Sequence, residues 1–273
     1  APALAAPERA LAAVLGAASC HRDPHLARYG LENVIFRLGD RFIEIVAPIE
    51  DGTAAGRFLE RSGGRGGYMA IFDCEDPERR AQDAEALGVP VVNRMRVDAY
   101  LGVQLHPKAC RAAMIEFNRT EGGAALDGPY WPAGPDWQRA RHTQIVDGIR
   151  AAEIQAPDPA GLAARWGAVL DEPVTADAEP PCRLDAVVLD SPTPGDLAAH
   201  WGSLLGITVA DDHRADAGGV ALRFQPGRKE CLSALSLRSA DPDLLLARAG
   251  AEGLAVDRGG FELAGVRWQL EQG

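Results

Sequence analysis

The sequence predicts an α+β fold assembled from repeated units, each with a strand, a helix and two or three antiparallel strands. Residues 149–174 (IRAAEIQAPDPAGLAARWGAVLDEPV) align without a gap on residues 184–209 (LDAVVLDSPTPGDLAAHWGSLLGITV). Looser copies of the same order, with Asp-Pro between strand and helix, lie at 67–92 and 232–256. Such self-similarity is the signature of a fold built from repeated supersecondary units.

Each unit begins with a short apolar strand and a helix start signal. Asp or Thr followed by Pro supplies an N-cap and a first helical residue, and apolar residues follow at helical spacing. Among them are Trp166 and Trp201, which we expect to pack a helix onto a sheet, whereas His200 is expected on the outer face. The stretch APERALAAVLGAAS is the helix of a further unit, whose first strand is expected before Ala1.

The residues after each helix alternate between apolar and polar, as half-buried strands do. LENVIFRLGD and RFIEIVAPI follow the first helix and are joined by a Gly-Asp turn. VPVVNRMRVDA, LGVQLHP and AAMIEFN follow the second helix, and the later units contain VALRFQP, GFELAG and VRWQLEQ. These runs complete the repeated unit.

The units group into two halves, residues 1–119 and residues 142–273, and the second half is more diverged because it carries three strand–helix starts. Between them, residues 120–141 (TEGGAALDGPYWPAGPDWQRAR) are rich in Gly, Pro and aromatic residues and show no period, which predicts a linker. Its aromatic side chains are expected to clamp the halves together, although a linker that crosses a cleft could also contact a ligand. They are Tyr130, Trp131 and Trp137.

The composition favours a protein that acts on a small molecule. The chain of 273 residues is 47% hydrophobic and has a net charge of −11, which argues against binding to nucleic-acid phosphates or an anionic membrane surface. No apolar run approaches the length of a membrane-spanning helix. ALAAVLGAASC could end an export signal, but Pro7, Glu8 and Arg9 favour an ordinary helix start. The widely spaced cysteines, without CxxC, indicate reduced thiols and a cytoplasmic location.

Sequence motifs exclude several enzyme classes. The chain has no GxSxG, GxxxxGK[ST] or HExxH motif, which argues against a hydrolase triad, a nucleotide site and a zinc protease. The glycines of SGGRGGY precede a strand rather than open a helix, so they predict a turn and not a phosphate-binding loop.

The repeated unit and the stretches YGLENVIFRLGDRFIEIVAP and LGVQLHPKACRAAMIEF resemble the vicinal oxygen chelate superfamily, and within it bacterial proteins with a glyoxalase-like domain. The resemblance implies paired βαβββ modules of the glyoxalase, bleomycin-resistance and extradiol-dioxygenase type, whose curved mixed sheets surround a cleft. Such modules often hold one divalent ion (Fe, Mn, Ni, Co or Zn) between a His or Gln on a first strand and a Glu on a last strand. It also implies a small-molecule ligand or substrate and allows a homodimer.

The resemblance assigns two glutamates to the catalytic or metal-binding places on the last strands. Glu44 in RFIEIVAP occupies this place in the first module, and Glu116 in AAMIEFN occupies it in the second. Gln269 is the corresponding residue near the end of the chain. Alternation puts Glu44 on the face opposite Ile43 and Ile45, so it faces the cleft if the isoleucines pack on the helix.

None of the residues at the family's histidine position, on the first strand of each module, is a histidine. Histidine partners for the two glutamates are therefore not evident. Among the first strands, the one expected before Ala1 is the one that could supply a histidine. His106, in the HPK turn, is either a turn residue whose ring caps backbone groups or a cleft-facing acid or base. The residues nearest the family's histidine position are Tyr68, Ala151, Ala186, and Ser233 or Ala234.

Two functions follow, and the sequence leaves both open. In the first, a divalent ion assists lyase, isomerase or dioxygenase chemistry with Glu44 or Glu116 as ligand or base. In the second, the chain is a metal-free protein that binds or sequesters a small molecule, as the substituted first strands suggest. In either case Arg28, Tyr29 and Tyr68 are expected to contact the ligand. The fold alone does not identify the substrate.

Overall fold

The α+β class and the paired modules are confirmed by the structure, a computed structural model in which helices pack on several mixed sheets. The predicted helix that contains Trp166 lies outside the described residues, as do the side chains of Ala151 and Ala186. No helix in the described part of the chain has the length and apolar character to cross a membrane. The structure describes residues 1–39, 41–125, 128–140, 146–155, 186–205, 207–210, 214–216, 221–239 and 241–272.

The first module is a helix followed by three antiparallel strands. Its elements are α1 (Ala5–Leu15), β1 (Ser19–His21), β2 (Leu31–Leu38) and β3 (Arg41–Pro48). The sheet has the order β1-β2-β3, and a 3-10 turn, Pro24–Tyr29, leads from β1 to β2. The predicted N-terminal helix and both long strands are therefore confirmed.

The second module has the complete strand–helix–three-strand order. After α2 (Ala54–Ser62) come β4 (Met69–Asp73), α3 (Pro77–Ala86), β5 (Val91–Val97), β6 (Tyr100–Leu105), α4 (Pro107–Cys110) and β7 (Met114–Thr120). The sheet has the order β4-β7-β6-β5, with β4 and β7 parallel. The Asp-Pro signal starts α3 as predicted, because the Asp76 carboxylate accepts a hydrogen bond from the Arg79 backbone N–H at 3.0 Å.

The second half contributes an eight-stranded mixed sheet. Its elements are β8 (Val146–Gln155), β9 (Ala186–Ser191), α5 (Pro194–Leu205), β10 (Arg214–Asp216), β11 (Ala221–Pro226), β12 (Cys231–Ser239), α6 (Pro242–Ala251), β13 (Val256–Asp257), β14 (Gly260–Leu263) and β15 (Val266–Gln272). The order is β10-β11-β8-β12-β15-β14-β13, and β9 pairs with both β11 and β12. From β12 onward the second module's order recurs, including the parallel pair β12–β15.

Two buried cores each combine elements from both halves of the chain. One contains Phe117 of the second module together with Trp201 of α5, and the other contains Phe36 of β2 together with Trp268 of β15. Trp201 is fully buried, which confirms its predicted packing role. The division into 1–119, 120–141 and 142–273 therefore stays our proposal for how the modules are grouped along the chain.

The expected outward position of His200 is wrong. Its side chain is 4% exposed and its Nε2 contacts the carbonyl oxygen of Ala109. The reason is that α4 packs over this side of α5, where Arg111 also donates to the Asp196 carbonyl at 3.1 Å. The helical pattern alone could not show that a second element covers the polar side.

The outer edge of β3 has no partner among the described strands. β7 and β15 each pair with a parallel strand, β4 and β12, whereas β3 pairs only with β2. The Ala1 amino group donates a hydrogen bond to the Val46 carbonyl of β3 at 2.8 Å. In the other two modules, the corresponding edge is occupied by a parallel strand.

Extending the chain before Ala1 with a copy of residues 66–72 (GGYMAIF) should stabilise the protein, because the copy can pair with β3 as β4 pairs with β7. We expect the Tm to rise by about 2–4 °C for each kcal/mol gained, measured by thermal unfolding. The same extension with proline in place of the copied Met69 and Ile71 cannot form the ladder and should leave the Tm unchanged. An equal rise with both extensions would show that strand pairing is not the cause.

Candidate functional site

A cavity of about 600 Å³ lies beside β3 and β4. Its described walls come from these strands, α2, the 120–141 linker and the C-terminal strands, and most of the lining side chains are apolar. This volume suits a small organic molecule. The ionisable side chains in the lining are those of Arg41, Glu44, Tyr68, Asp73 and Tyr130.

Glu44 faces the cavity because of the alternation predicted for β3, which the structure confirms. Ile45 is buried in the core with α1, and Ile43 packs against that core, so their neighbour Glu44 projects from the opposite face. The carboxyl group is open to a water-sized molecule from the cavity, yet protein surrounds it. It therefore sits in a largely desolvated place that a ligand can still reach.

A single amide holds the Glu44 carboxylate. Asn33 Nδ2 donates to Glu44 Oε1 at 2.6 Å, and Asn33 Oδ1 accepts from the Asp23 backbone N–H at 2.7 Å. The second bond fixes the amide so that its NH2 group faces the carboxylate. Burial raises the pKa of Glu44 to about 7, while the Asn33 hydrogen bond opposes the rise and the charges of Glu116 and Asp23 add to it.

Glu116 is held by two donors and is covered by them. Tyr100 Oη donates to its Oε1, and Gln104 Nε2 donates to its Oε2 at 2.7 Å. Asn93 Nδ2 donates to Gln104 Oε1 at 3.1 Å and so fixes that amide. Burial raises the pKa of Glu116, and the bonds from Tyr100 and Gln104 oppose the rise. The side chain is only 4% exposed and is not among the described residues that line the cavity.

The two predicted glutamates thus come close enough to influence each other electrostatically, but the predicted first-strand places are shifted. The residue of β4 opposite Glu116 is Ile71, because the strand begins after Tyr68. In the last module, Ser236, rather than Ser233 or Ala234, pairs with Gln269 and donates to it at 3.0 Å. Tyr68 does line the cavity, with its ring packed edge-on against Phe58.

The other predicted ligand contacts lie elsewhere. Arg28 Nη2 donates to Tyr29 Oη at 2.9 Å on the exposed 3-10 turn, and Asn93 reaches the same oxygen at 3.3 Å. His106 precedes α4, where its backbone N–H donates to the Pro90 carbonyl at 2.8 Å. Its ring makes no capping hydrogen bond to that helix, so it is the backbone N–H of His106 that supports the predicted role as a turn residue. In the described part of the chain, Arg28, Tyr29 and His106 are not part of the cavity lining.

Sequence reasoning missed several polar residues around the carboxyl groups. Asp73 pairs with Asn118 across the parallel strands and shares the cavity face of β4 with Ile71. Burial raises the pKa of Asp73 to about 6, and the Arg119 charge opposes the rise. Alternation from Ile71 could have identified Asp73. The partners Tyr100, Gln104 and Asn93 depend on the register of β5 and β6, which the sequence does not reveal.

The donor chemistry of the described residues does not fit a divalent ion. Within the described ranges, no three His, Cys, Asp or Glu side chains form a group that could share a metal. Both oxygens of Glu116 and Oε1 of Glu44 already accept hydrogen bonds from Tyr100, Gln104 and Asn33. Oε2 of Glu44 is the remaining carboxyl oxygen of the pair without a hydrogen bond from a described side chain, and one oxygen is fewer than the ligands that a divalent ion takes.

Comparisons with known proteins identify the family. A family model described as a glyoxalase-like domain matches residues 1–170, so the chain belongs to this family within the vicinal oxygen chelate superfamily. No curated protein sequence matches the chain. Similar solved structures include a hypothetical protein from Staphylococcus aureus, which is 10% identical, covers 92% of this chain and 89% of its own, and has a TM-score of 0.55. That similarity shows the fold over most of the chain.

Two epimerases are similar over a smaller part. Methylmalonyl-CoA epimerase from Streptomyces coelicolor is 22% identical, covering 46% of this chain and 91% of its own, with a TM-score of 0.40. The Mycobacterium tuberculosis enzyme of the same name is 19% identical, covering 41% of this chain and 77% of its own, with a TM-score of 0.37.

Glu44→Gln should stabilise the protein at alkaline pH. The folded state keeps a proton on Glu44 up to a pKa of about 7, whereas the unfolded state releases it near the ordinary value of 4.5, so wild-type stability falls as pH rises through this window. We therefore expect the variant to have the higher free energy of unfolding in urea at about pH 8 and no advantage at about pH 4. The exposed Glu121→Gln should show no such pH-dependent gain, and an equal gain in both variants would contradict the assignment.

Proposed function

We propose that this member of the glyoxalase-like domain family is an enolising enzyme, an isomerase or lyase that removes a proton from the carbon beside a carbonyl group. The observation that carries the proposal is Glu44, a carboxyl group on the wall of an apolar cavity with a pKa of about 7. A general base is most effective when its pKa lies near the working pH. Glu44 meets this condition and can be reached by a ligand.

The proton transfer needs only one carboxyl oxygen. Asn33 occupies Oε1 of Glu44, which leaves Oε2 to accept the proton. As the C–H bond breaks, its electron pair forms a carbon–carbon double bond and the carbonyl π pair moves onto oxygen. The electron pair on oxygen then re-forms the carbonyl as the Glu44 carboxylic acid returns the proton to a different carbon or to a leaving group that departs with its bonding pair. No electrons are gained or lost overall.

Glu116 acts in this proposal as a positioning residue and not as a second base. It is buried beneath Tyr100 and Gln104, so a substrate in the cavity contacts Glu44 first. Its charge is one cause of the raised pKa of Glu44. The metal-assisted form of the chemistry, with Glu44 and Glu116 as ligands, needs further donors that the described residues do not supply, so the step is assigned to the carboxyl group alone.

The cavity suits an uncharged substrate with an apolar body. Phe42 and Trp137 provide aromatic walls, and Glu44 and Asp73 would repel an anion when they are ionised. Since burial raises the pKa of both carboxyl groups, they are least repulsive near and below neutral pH. A small ketone or thioester fits this chemistry.

A metal-free binding or sequestering protein is the second candidate, and the aromatic cover of the cavity favours it. Phe42 stacks on Tyr130 with ring centroids 5.0 Å apart and meets the edge of Trp137 at 5.1 Å. Such rings bind flat apolar molecules without any chemistry. Measured turnover would support the enzyme, and binding without turnover would support the sequestering protein.

Hydrogen exchange tests the proposed function. In D2O, the wild-type protein should exchange the α-hydrogens of at least one of acetophenone, 2-hydroxyacetophenone, cyclohexanone and S-ethyl thiopropionate, followed by NMR. Glu44→Gln should slow this exchange by about 10²-fold or more, because it removes the base. The matched variant Glu121→Gln should exchange at the wild-type rate. If a ketone binds wild type and Glu44→Gln equally well and exchanges with neither, the sequestering function is correct.

Glu116→Gln should shift the pH dependence without abolishing exchange. Glu44 must be ionised to accept a proton, so the rate should rise with pH around its pKa of about 7. Removing the Glu116 charge removes one cause of the raised pKa, and the midpoint should therefore move to lower pH. An unchanged midpoint in the pH–rate profile would show that Glu116 does not tune the base.

A further inference from the structure

Tyr130 bridges the cleft between the first and second modules, although it belongs to the linker. Its ring stacks on Phe42 of β3 at 5.0 Å and 21° between planes. Its hydroxyl oxygen accepts a hydrogen bond from Asn118 Nδ2 of β7 at 3.3 Å. The side chain also lines the cavity. One linker residue thus contacts both modules and also lines the ligand space.

The Tyr130 hydroxyl can act as a donor to a ligand. Asn118 fills one of its acceptor positions, and within the described residues no group accepts a hydrogen bond from its O–H. The charges of Glu116, Asp73 and Glu44 all act on it. Burial, together with these carboxyl groups, raises the pKa of Tyr130, so the phenol keeps its proton at any working pH. A buried O–H of this kind is available for a ligand oxygen.

Enolisation also requires a hydrogen-bond donor to the carbonyl oxygen, and Glu44, as the base, does not supply one. When the base takes the proton, negative charge develops on the carbonyl oxygen, and a preorganised donor lowers the energy of that state. Among the other donors in the lining, Trp137 Nε1 already donates to the Gly128 carbonyl at 3.2 Å. Tyr68 is influenced by Arg57 and Arg61, whereas Tyr130 is influenced by Glu44 itself and therefore lies near the proposed base.

We propose that the Tyr130 hydroxyl donates a hydrogen bond to the carbonyl oxygen of the substrate and stabilises the enolate that forms when Glu44 removes the proton. The inference rests on the proposed function for its chemistry, but the donor itself can be tested without turnover. It makes the linker part of the catalytic site and names a carbonyl oxygen as the group that the substrate must present. Tyr130 is then a catalytic residue, because it touches the reacting atoms.

A phenolate mimics the enolate and tests the donor directly. At pH 5, where Glu44 and Asp73 are mostly protonated, we would measure the affinity of 2,4-dinitrophenolate, which is ionised there, and of 1,3-dinitrobenzene, which has the same ring and no oxyanion. Tyr130→Phe keeps the stacking on Phe42 and should weaken phenolate binding about tenfold, the usual effect of losing a hydrogen bond to a charged group. Its affinity for dinitrobenzene should stay within about twofold of wild type.

The matched control is Trp131→Phe in the same segment. Trp131 stacks on Tyr100 with ring centroids 5.0 Å apart, and it is not among the described lining residues. This variant should keep wild-type affinity for both compounds. An equal loss of phenolate affinity in Trp131→Phe and Tyr130→Phe would indicate a displaced linker and would overturn the proposal.

Other outcomes separate this inference from the proposed function. Wild-type protein that does not bind dinitrophenolate, or Tyr130→Phe with unchanged phenolate affinity, would overturn the donor role of Tyr130. If Tyr130→Phe weakens phenolate binding while Glu44→Gln leaves the α-hydrogen exchange rate unchanged, the oxyanion donor is supported and the proposed base is rejected. If the Tyr130→Phe change also slows exchange of a bound ketone at constant KM, the donor acts in the transition state.

Discussion

The hydrogen bond from Asn33 to Glu44 is the interaction on which the cleft depends. A carboxyl group on an apolar wall favours its neutral form, and a donor to the ionised form opposes that preference. For Glu44, the effect of burial exceeds that of the hydrogen bond, and the pKa is about 7. The donor is itself held from the turn before β2, because the Asp23 N–H fixes Asn33 while the Asp23 carboxylate accepts from the His25 N–H at 2.8 Å. A surface turn thus contributes to the proton affinity of a cavity residue, by holding the donor that opposes the effect of burial.

The contrast between Glu44 and Glu116 shows how a repeat can copy a residue without copying its role. Both stand on the last strand of a module, and both are desolvated. Glu116 has two side-chain donors from β6, Tyr100 and Gln104, whereas Glu44 has one from β2. The additional donor satisfies the second oxygen and closes Glu116 off from the cavity. The remaining oxygen of Glu44 is the one that can react.

Local patterns were enough to predict much of the fold and part of the site. Apolar alternation placed Glu44 on the open face of β3, and Asp-Pro pairs marked the starts of α3 and α6, because both signals depend only on neighbouring residues. The sequence assigned the first-strand place of the second module to Tyr68, whereas the residue that pairs with Glu116 is Ile71, three positions later. Strand ends and register depend on long-range pairing, and so does the covering of Glu116 by Tyr100. The sequence could not supply these contacts.

Each half of the chain packs its sheets against elements of the other half, and this arrangement explains why a linker residue can reach the site. The first module shares its core with the last, and the second module shares its core with α5, so the sheets that carry the two glutamates belong to different cores on either side of the cleft. The linker leaves β7 and is tied there by the Trp131 N–H to the Thr120 hydroxyl at 3.0 Å. On the other side, the Arg37 guanidinium lies over the Trp137 ring at 4.8 Å. A segment anchored on both sheets must pass over the space between them, and Tyr130 lies on that path. Its position is therefore a consequence of the topology, which no periodicity in the linker sequence could indicate.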